Sequence, residues 1–500
     1  VRRQIALLGV VILICYVALF VRFNQIQVFQ ADALNERTDN TRQLQRDFNE
    51  PRGSIITADG ALAAYSEERR ATLRYQRIYP EADLLSAVTG FYSFNLGSSG
   101  VERSYNDELA GRTTALKLRE LTGFFSDVSS EGDVILTVRK DLQQVARDSL
   151  GDRQGAVVAI DPRDGSILSM WSWPPFDPNQ LSTNDSTAAE AAKRFLDAVP
   201  QKPLLIRAYQ DNYFPGSTFK IVTAAAGLES RTVTTAAPDY PVVTSYTPPL
   251  TTSAISNFGG SSCGGTLIVI TARSCNSSFA QMAVEQTGPE PMIAAAERVG
   301  FNDIPPIDLP DAATSIYPVD FGDVVERPPG LAPVYSDAPR LAQTAIGQND
   351  VRATPLQMAL VAAGVANDGD VLAPHVMAEI RARDGSVVER YEPRVWRQAF
   401  SPTDAATLRQ AMIGVVTDGT AQNMAIPGFE VGAKTGTAQL GTTPPRSHGW
   451  MIAFGGRPGE VPTVAVAVIV ENLPGASSET GGSTAGPVAR AVLSAALGAG

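Results

Sequence analysis

Apolar strand patterns stand at two places far apart in this chain, and its fold must accommodate both. Ala156 to Ile160 is a short apolar run, Asp161-Pro-Arg-Asp-Gly165 is a turn, and Ser166 to Trp173 is a second run. Together they predict a hairpin. Gly449 to Gly455 and Thr463 to Val470 predict two more strands near the other end. Alanine-rich stretches at 221–229, 279–298 and 355–367 predict helices between them, and a last helix is expected from Pro487 to Leu497. Strands at both ends with helices between them imply an α/β (α+β) unit whose sheet brings the two ends together. A proline-rich stretch, 305–333, reads as an irregular excursion.

Upstream, Gly53-Ser-Ile-Ile-Thr-Ala-Asp59-Gly60 carries a strand and an Asp-Gly turn, 133–138 reads as a strand, and 139–150 reads as a helix. Further upstream, Ile5 to Val21 contain no charge, and Arg2 and Arg3 precede them. Seventeen residues are at the short end for a membrane span. Basic residues on the N-terminal side predict that this end is cytoplasmic. An uncleaved anchor is expected, because bulky Phe20, Val21 and Phe23 leave no small-x-small cleavage site; a cleaved signal peptide is the rival. Either way, most of the chain is expected outside the cytoplasmic membrane. The expected units are 1–24 (start and anchor), 25–150, and 151–500.

Composition narrows the function. Hydrophobic residues at 44% and charged residues at 19% exclude wholesale disorder. A net charge of −11 without a long basic run argues against nucleic-acid binding. Three cysteines and two histidines fit neither a disulfide framework nor a zinc site, so no metal and no cofactor are expected. Six lysines stand among 41 basic residues. That scarcity makes a motif that needs lysine informative.

One such motif is Tyr213-Phe-Pro-Gly-Ser217-Thr-Phe-Lys220. Pro215 and Gly216 stop any preceding helix, and an apolar stretch follows Lys220. Ser217 is therefore placed at a helix start with Lys220 on the same face. A serine hydroxyl needs a neighbouring base to attack a carbonyl. A lysine serves as that base only when burial or nearby positive charge lowers its pKa. About 0.4 chance matches to S-x-x-K are expected in a chain of this composition. An N-cap serine beside a surface lysine is the competing reading.

The second motif, Lys434-Thr435-Gly436-Thr437, is expected about 0.04 times by chance. It precedes the late strands and is placed on an edge strand. A lysine and two hydroxyls there suit a carboxylate, and the glycine would let a substrate backbone lie close. The third pattern, S-x-N, occurs at Ser93, Ser104, Ser182 and Ser274 and carries little information alone. Only Ser274-Cys275-Asn276 lies between the other two motifs.

The order S-x-x-K, S-x-N, K-T-G resembles the penicillin-recognising serine enzymes. Arg52-Gly53-Ser54-Ile55 with Asp59-Gly60, and then Gly100, Glu102, Tyr105, Leu109 and Gly111, resemble the N-terminal boxes of class B penicillin-binding proteins. Ala345-Ile-Gly-Gln348, Thr354-Pro-Leu-Gln-Met-Ala359 and Ala366-Asn-Asp-Gly369 are similar to a further stretch of their transpeptidase domain. Ser447-His448-Gly449-Trp450 resembles the turn after K-T-G. The size is similar to the short actinobacterial type, without a glycosyltransferase domain or C-terminal PASTA modules. The resemblance covers about residues 50 to 498.

This resemblance implies a penicillin-binding transpeptidase fold: an antiparallel sheet flanked by helices, a smaller mainly β N-terminal pedestal, and one N-terminal transmembrane helix. It implies a peptidoglycan D,D-transpeptidase that acts on D-Ala-D-Ala stem peptides and is acylated by β-lactams. Ser217 would be the nucleophile and Lys220 its base. Ser274 would relay a proton between Lys220 and Lys434, and Asn276 would orient Lys220. Thr435, Thr437 and Lys434 would hold the terminal carboxylate. Expected partners are the membrane, a SEDS-type glycosyltransferase and divisome or elongation proteins. A hydrolase on the same machinery, or a non-catalytic β-lactam-binding scaffold, are the competing functions. In an oxidising compartment Cys263 and Cys275 are expected to pair. His448 and His375 are read as structural.

Overall fold

The computed structural model describes residues 2–25, 45–116, 131–474 and 480–499. Helix α1 spans Arg2–Asn24. Strands β1 (Ile55–Ile56), β2 (Leu62–Glu68), β3 (Tyr75–Ile78) and β4 (Gly132–Leu136) precede helix α2 (Lys140–Leu150). The hairpin strands are β5 (Gly155–Ile160) and β6 (Ile167–Trp173). Helices α3 (Lys220–Glu229), α4 (Leu267–Arg273), α5 (Asn276–Gln281) and α6 (Pro355–Ala366) follow. Then come β7 (Met377–Ala382), β8 (Val387–Arg390) and helix α7 (Pro402–Thr417). Strands β9 (Glu430–Gln439), β10 (Arg446–Gly456) and β11 (Val464–Pro474) lead to helix α8 (Gly481–Ala496).

The early and late strands share one antiparallel sheet, ordered β9-β10-β11-β5-β6. Val157 faces Val468 and Ala159 faces Val466 across the join. All six residues of β5 are buried, so both faces of the sheet are covered. Helix α8 packs on β10, β11 and α2, while α6 packs on β10, β11 and β5. All twelve residues of α6 are buried, which explains its apolar composition around the whole circumference.

A second sheet has the order β8-β7-β4-β1-β2-β3, with β1 and β4 parallel and the other pairs antiparallel. Two of its strands, β7 and β8, come from the middle of the chain. Helix α2 packs against β6 and α8 of the other sheet. The two N-terminal boxes meet here as one buried cluster. Arg52 Nε donates to Glu102 at 2.7 Å, Arg77 Nε donates to the other Glu102 oxygen at 2.6 Å, and Tyr79 donates at 3.2 Å. Gly53 lies against the backbone of Gly132, where a Cβ would stand 2.1 Å from the carbonyl oxygen.

Among the described residues, α1 is the one helix long and apolar enough to cross a membrane. Its 23 residues span roughly 34 Å, which exceeds the hydrocarbon thickness.

Three local expectations are corrected. Residues 279–298 are not one helix, because Gly288 (φ 77°) and Pro289 end one segment and start the next. Helix α8 starts at Gly481 rather than Pro487, because Thr480 and Ser483 form a capping box ahead of it. Residues 447–450 are not a turn: they lie within β10 and pair with β9 from Gly436 to Gln439. The excursion 305–333 is irregular except for Val324–Glu326, which pairs with Val334–Tyr335.

Candidate active site

Ser217 lies in a single 3-10 turn, Gly216–Phe219, that runs directly into α3 at Lys220. In that geometry residues three apart eclipse each other, so Ser217 and Lys220 share one column. Phe219 locks the turn from beneath: it stacks on Tyr317 (centroids 5.3 Å, planes 9° apart) and meets Phe301 edge-on at 5.4 Å. Gly216 adopts φ 54°, and a Cβ there would stand 2.9 Å from the Thr437 carbonyl oxygen. The nucleophile turn and the K-T-G strand are therefore in direct backbone contact.

Lys220 is fully buried. Its Nζ donates to the Ser274 carbonyl at 2.7 Å and to Asn276 Oδ1 at 2.7 Å, and lies 3.2 Å from Ser274 Oγ. Lys434, also fully buried, reaches the same Ser274 Oγ at 2.8 Å and the Thr435 carbonyl at 3.1 Å. One serine hydroxyl thus bridges two lysines from distant parts of the chain. Among the described residues no hydrogen bond joins Ser217 Oγ to Lys220 Nζ.

The backbone at Ser274 is unusual. It caps α4 in the left-handed region (φ 62°, ψ 43°), which a non-glycine residue rarely adopts. This turn aims both its carbonyl and its hydroxyl at Lys220. Cys275 follows and joins Cys263 in a disulfide, with Cα atoms 5.5 Å apart. Asn276 starts α5 and donates through Nδ2 to the Ser256 carbonyl.

Burial, and then the positive charge of Lys434, pushes the Lys220 pKa well below the ordinary lysine value. Burial lowers Lys434 to about 7. Taking an ammonium out of water without a carboxylate partner favours the neutral amine. The site is therefore set up for proton transfer near neutral pH.

Strand β9 is the edge of the central sheet, with Lys434 opposite Ile452 and Thr437 opposite Gly449. The space at Gly436 is taken by the chain itself, not by a substrate. A Cβ there would approach the Pro215 carbonyl oxygen, Thr218 Cγ2 and Trp450 Cβ, each at 2.9 Å.

Several contributors lie outside the three catalytic motifs. Gln348 clamps the end of β9: its carboxamide donates to the Gln439 carbonyl at 3.3 Å and accepts from Gln439 N at 3.2 Å. Glu471 accepts from Arg207 at 2.8 Å and from Tyr213 at 2.8 Å, tying β11 to the segment before Ser217. The signal was an acid ending the apolar run of β11. Thr420 meets Thr435 hydroxyl to hydroxyl at 2.8 Å, and no periodicity marks it. His448 is buried edge-on against Tyr213, and burial lowers its pKa to about 4. His375 stacks on Tyr391 with centroids 3.6 Å apart.

This geometry has counterparts. The family model for the penicillin binding protein transpeptidase domain matches residues 155–494, and that for the penicillin binding protein A dimerisation domain matches 52–135. The peptidoglycan D,D-transpeptidase PbpA of Mycolicibacterium smegmatis is 38% identical over 506 residues, covering 98% of both chains. PbpA of Mycobacterium tuberculosis is 35% identical with the same coverage. The solved ceftriaxone acyl-enzyme complex of M. tuberculosis penicillin-binding protein A superposes with a TM-score of 0.81 at 34% identity. It covers 91% of this chain and 100% of that one. Its penicillin G acyl-enzyme complex gives 0.79 at 34% identity, covering 89% and 99%. With motifs, fold and full-length similarity in agreement, this chain belongs to the penicillin-binding protein transpeptidase family.

Proposed function

We propose that this peptidoglycan D,D-transpeptidase works through Ser217 as its acylated nucleophile and Lys220 as its general base. The observation that carries the assignment is the Lys220–Ser274–Lys434 bridge beside the nucleophile turn. In neutral Lys220, two N–H groups serve the Ser274 carbonyl and Asn276 Oδ1, which leaves the lone pair to accept the Ser217 proton. Ser217 Oγ then attacks the carbonyl of the penultimate D-Ala. Backbone N–H groups of Ser217 and Thr437 stabilise the oxyanion. Ser274 passes a proton to the departing D-Ala amine as the C–N bond breaks and recovers one from protonated Lys220, so that Lys220 is neutral again while Lys434 stays charged. Lys434, Thr435 and Thr437 hold the terminal carboxylate. The amine of a neighbouring stem peptide then attacks the acyl-enzyme, forming the cross-link and releasing Ser217. A β-lactam follows the first half of this course and stays bound.

Helix α1 serves as a single-pass anchor with Arg2 and Arg3 on the cytoplasmic side and the catalytic unit outside. Residues 25–150, completed by strands β7 and β8, make up the pedestal, and the rest of 151–500 makes up the transpeptidase unit. A SEDS-type glycosyltransferase and divisome or elongation proteins complete the assembly, because the polymerised glycan must be supplied to this site.

Intact mass after exposure to benzylpenicillin tests the nucleophile. A stable adduct on wild type, absent from Ser217→Ala, is expected. No adduct with intact penicillin would point to a scaffold; no adduct with consumed penicillin would point to a hydrolase.

The lysine pair also sets a pH profile. Lys220 must be neutral to accept a proton, and burial together with the Lys434 charge lowers its pKa toward that state. Lys434 must be charged, and it loses its proton as pH rises through about 7. The second-order acylation constant is therefore expected to fall on the alkaline side of pH 7. A profile that keeps rising toward pH 9, measured by stopped-flow with a chromogenic cephalosporin, would overturn the role of Lys434.

A further inference from the structure

We propose that Thr420 is a positioning residue for substrate-carboxylate recognition, acting through Thr435. The inference rests on the reading of Ser217 and the K-T-G strand given above, and it adds a residue outside all three motifs.

Thr420 sits on the loop after α7, between the helix that leads to Ser274 and the start of α8. Its backbone N–H donates to the Ala272 carbonyl at 3.2 Å, two residues before Ser274. Gly419 makes this docking possible: a Cβ there would stand 2.3 Å from the Ala272 carbonyl oxygen. On the other side, a Cβ at Gly482 would stand 3.1 Å from the Thr420 carbonyl oxygen. The loop is thus wedged between two elements, and its one side-chain hydroxyl is aimed at β9.

There Thr420 Oγ1 meets Thr435 Oγ1 at 2.8 Å. The two hydroxyls differ in setting: Thr420 is exposed, whereas Thr435 retains only 9% of its surface. Each hydroxyl carries one proton, and their mutual bond consumes one. With Thr420 as donor, the Thr435 proton stays free for a third group on the same strand face. Thr437, two residues along β9, shares that face, and its Oγ1 lies 3.4 Å from Gly481 N. An acceptor-only group such as a carboxylate then meets two oriented hydroxyl donors beside the Lys434 ammonium. Thr420 fixes the direction of one of them.

The test uses the full chain as wild type, Thr420→Val and Thr420→Ser. The probes are an N-acyl-D-alanyl thioester with a free mercaptoacetate carboxylate and its methyl ester. The acylation rate of Ser217 is followed by thiol release and intact mass. For Thr420→Val, the carboxylate-to-ester rate ratio is expected to fall about tenfold, the scale of one charge-assisted hydrogen bond. Thr420→Ser is expected to restore the wild-type ratio. An equal loss on both probes would show a merely structural role and overturn the proposal, and so would an unchanged ratio. Wild type forming no acyl-enzyme would overturn the underlying reading too, a case the Ser217→Ala mass comparison identifies separately.

Discussion

Lys220→Ala is expected to lower the rate of acylation by benzylpenicillin by about a thousandfold or more, the range seen when a positioned general base is removed. Two effects combine. The Ser217 proton loses its acceptor, and the Ser274 carbonyl and Asn276 Oδ1 lose the donor that holds the S-x-N turn in place. Lys220→Arg separates them. Arginine keeps N–H donors at this point but brings a fixed charge, because it cannot give up its proton in a protein. It is expected to acylate as poorly as alanine while holding the turn better. The measurement is stopped-flow acylation together with thermal melting of all three proteins. Near wild-type acylation by Lys220→Arg would sink the base assignment, since no neutral amine would then be needed.

The largest expected effect on stability lies far from the chemistry. Glu102 is fully buried and accepts from Arg52 and Arg77, themselves almost fully buried. Glu102→Ala leaves two guanidinium groups without their counter-charge, an error worth about 3–5 kcal/mol in buried ion pairs. Burial alone would push the Glu102 carboxyl up; Arg77 and Arg52 outweigh it and hold the pKa below the ordinary value. A carboxyl depressed on folding stabilises above its unfolded pKa. That contribution is therefore present at neutral pH and drains away as pH falls below about 4.5 through the folded value. Urea unfolding of the N-terminal sheet, compared at pH 7 and in acid, checks both points. A loss below about 1 kcal/mol, the size of an ordinary surface change, would show that the cluster is not a stability element.

Much of the site was legible in the residues. Pro215-Gly216 marked a break ahead of a helix that starts near Ser217, and the structure has a 3-10 turn at Ser217 leading into α3 at Lys220. The edge position of Lys434 followed from its place ahead of two apolar strands. The hairpin at 155–173 could be read because two short apolar runs flank a turn signal within a few residues. Helix α8 begins six residues before its proline because the Thr480–Ser483 cap starts it at Gly481-Gly482, residues of low helix propensity that mask its beginning. The family resemblance implied a turn at 447–450, yet these residues pair along β9 as part of strand β10.

Patterns along the chain determined which residues are chemically able: a serine before a lysine, a lysine before two hydroxyls, a glycine where backbones touch. They could do so because helix starts, turns and strand periods depend on neighbours a few positions away. Tertiary structure alone decided how those residues act. Lys434 meets Ser274 across 160 residues of chain, and β7 and β8 leave the middle of the sequence to complete the N-terminal sheet. The same holds for the lysine pKa values. Burial and a second charge set them, and both arise only when distant segments pack together and exclude water.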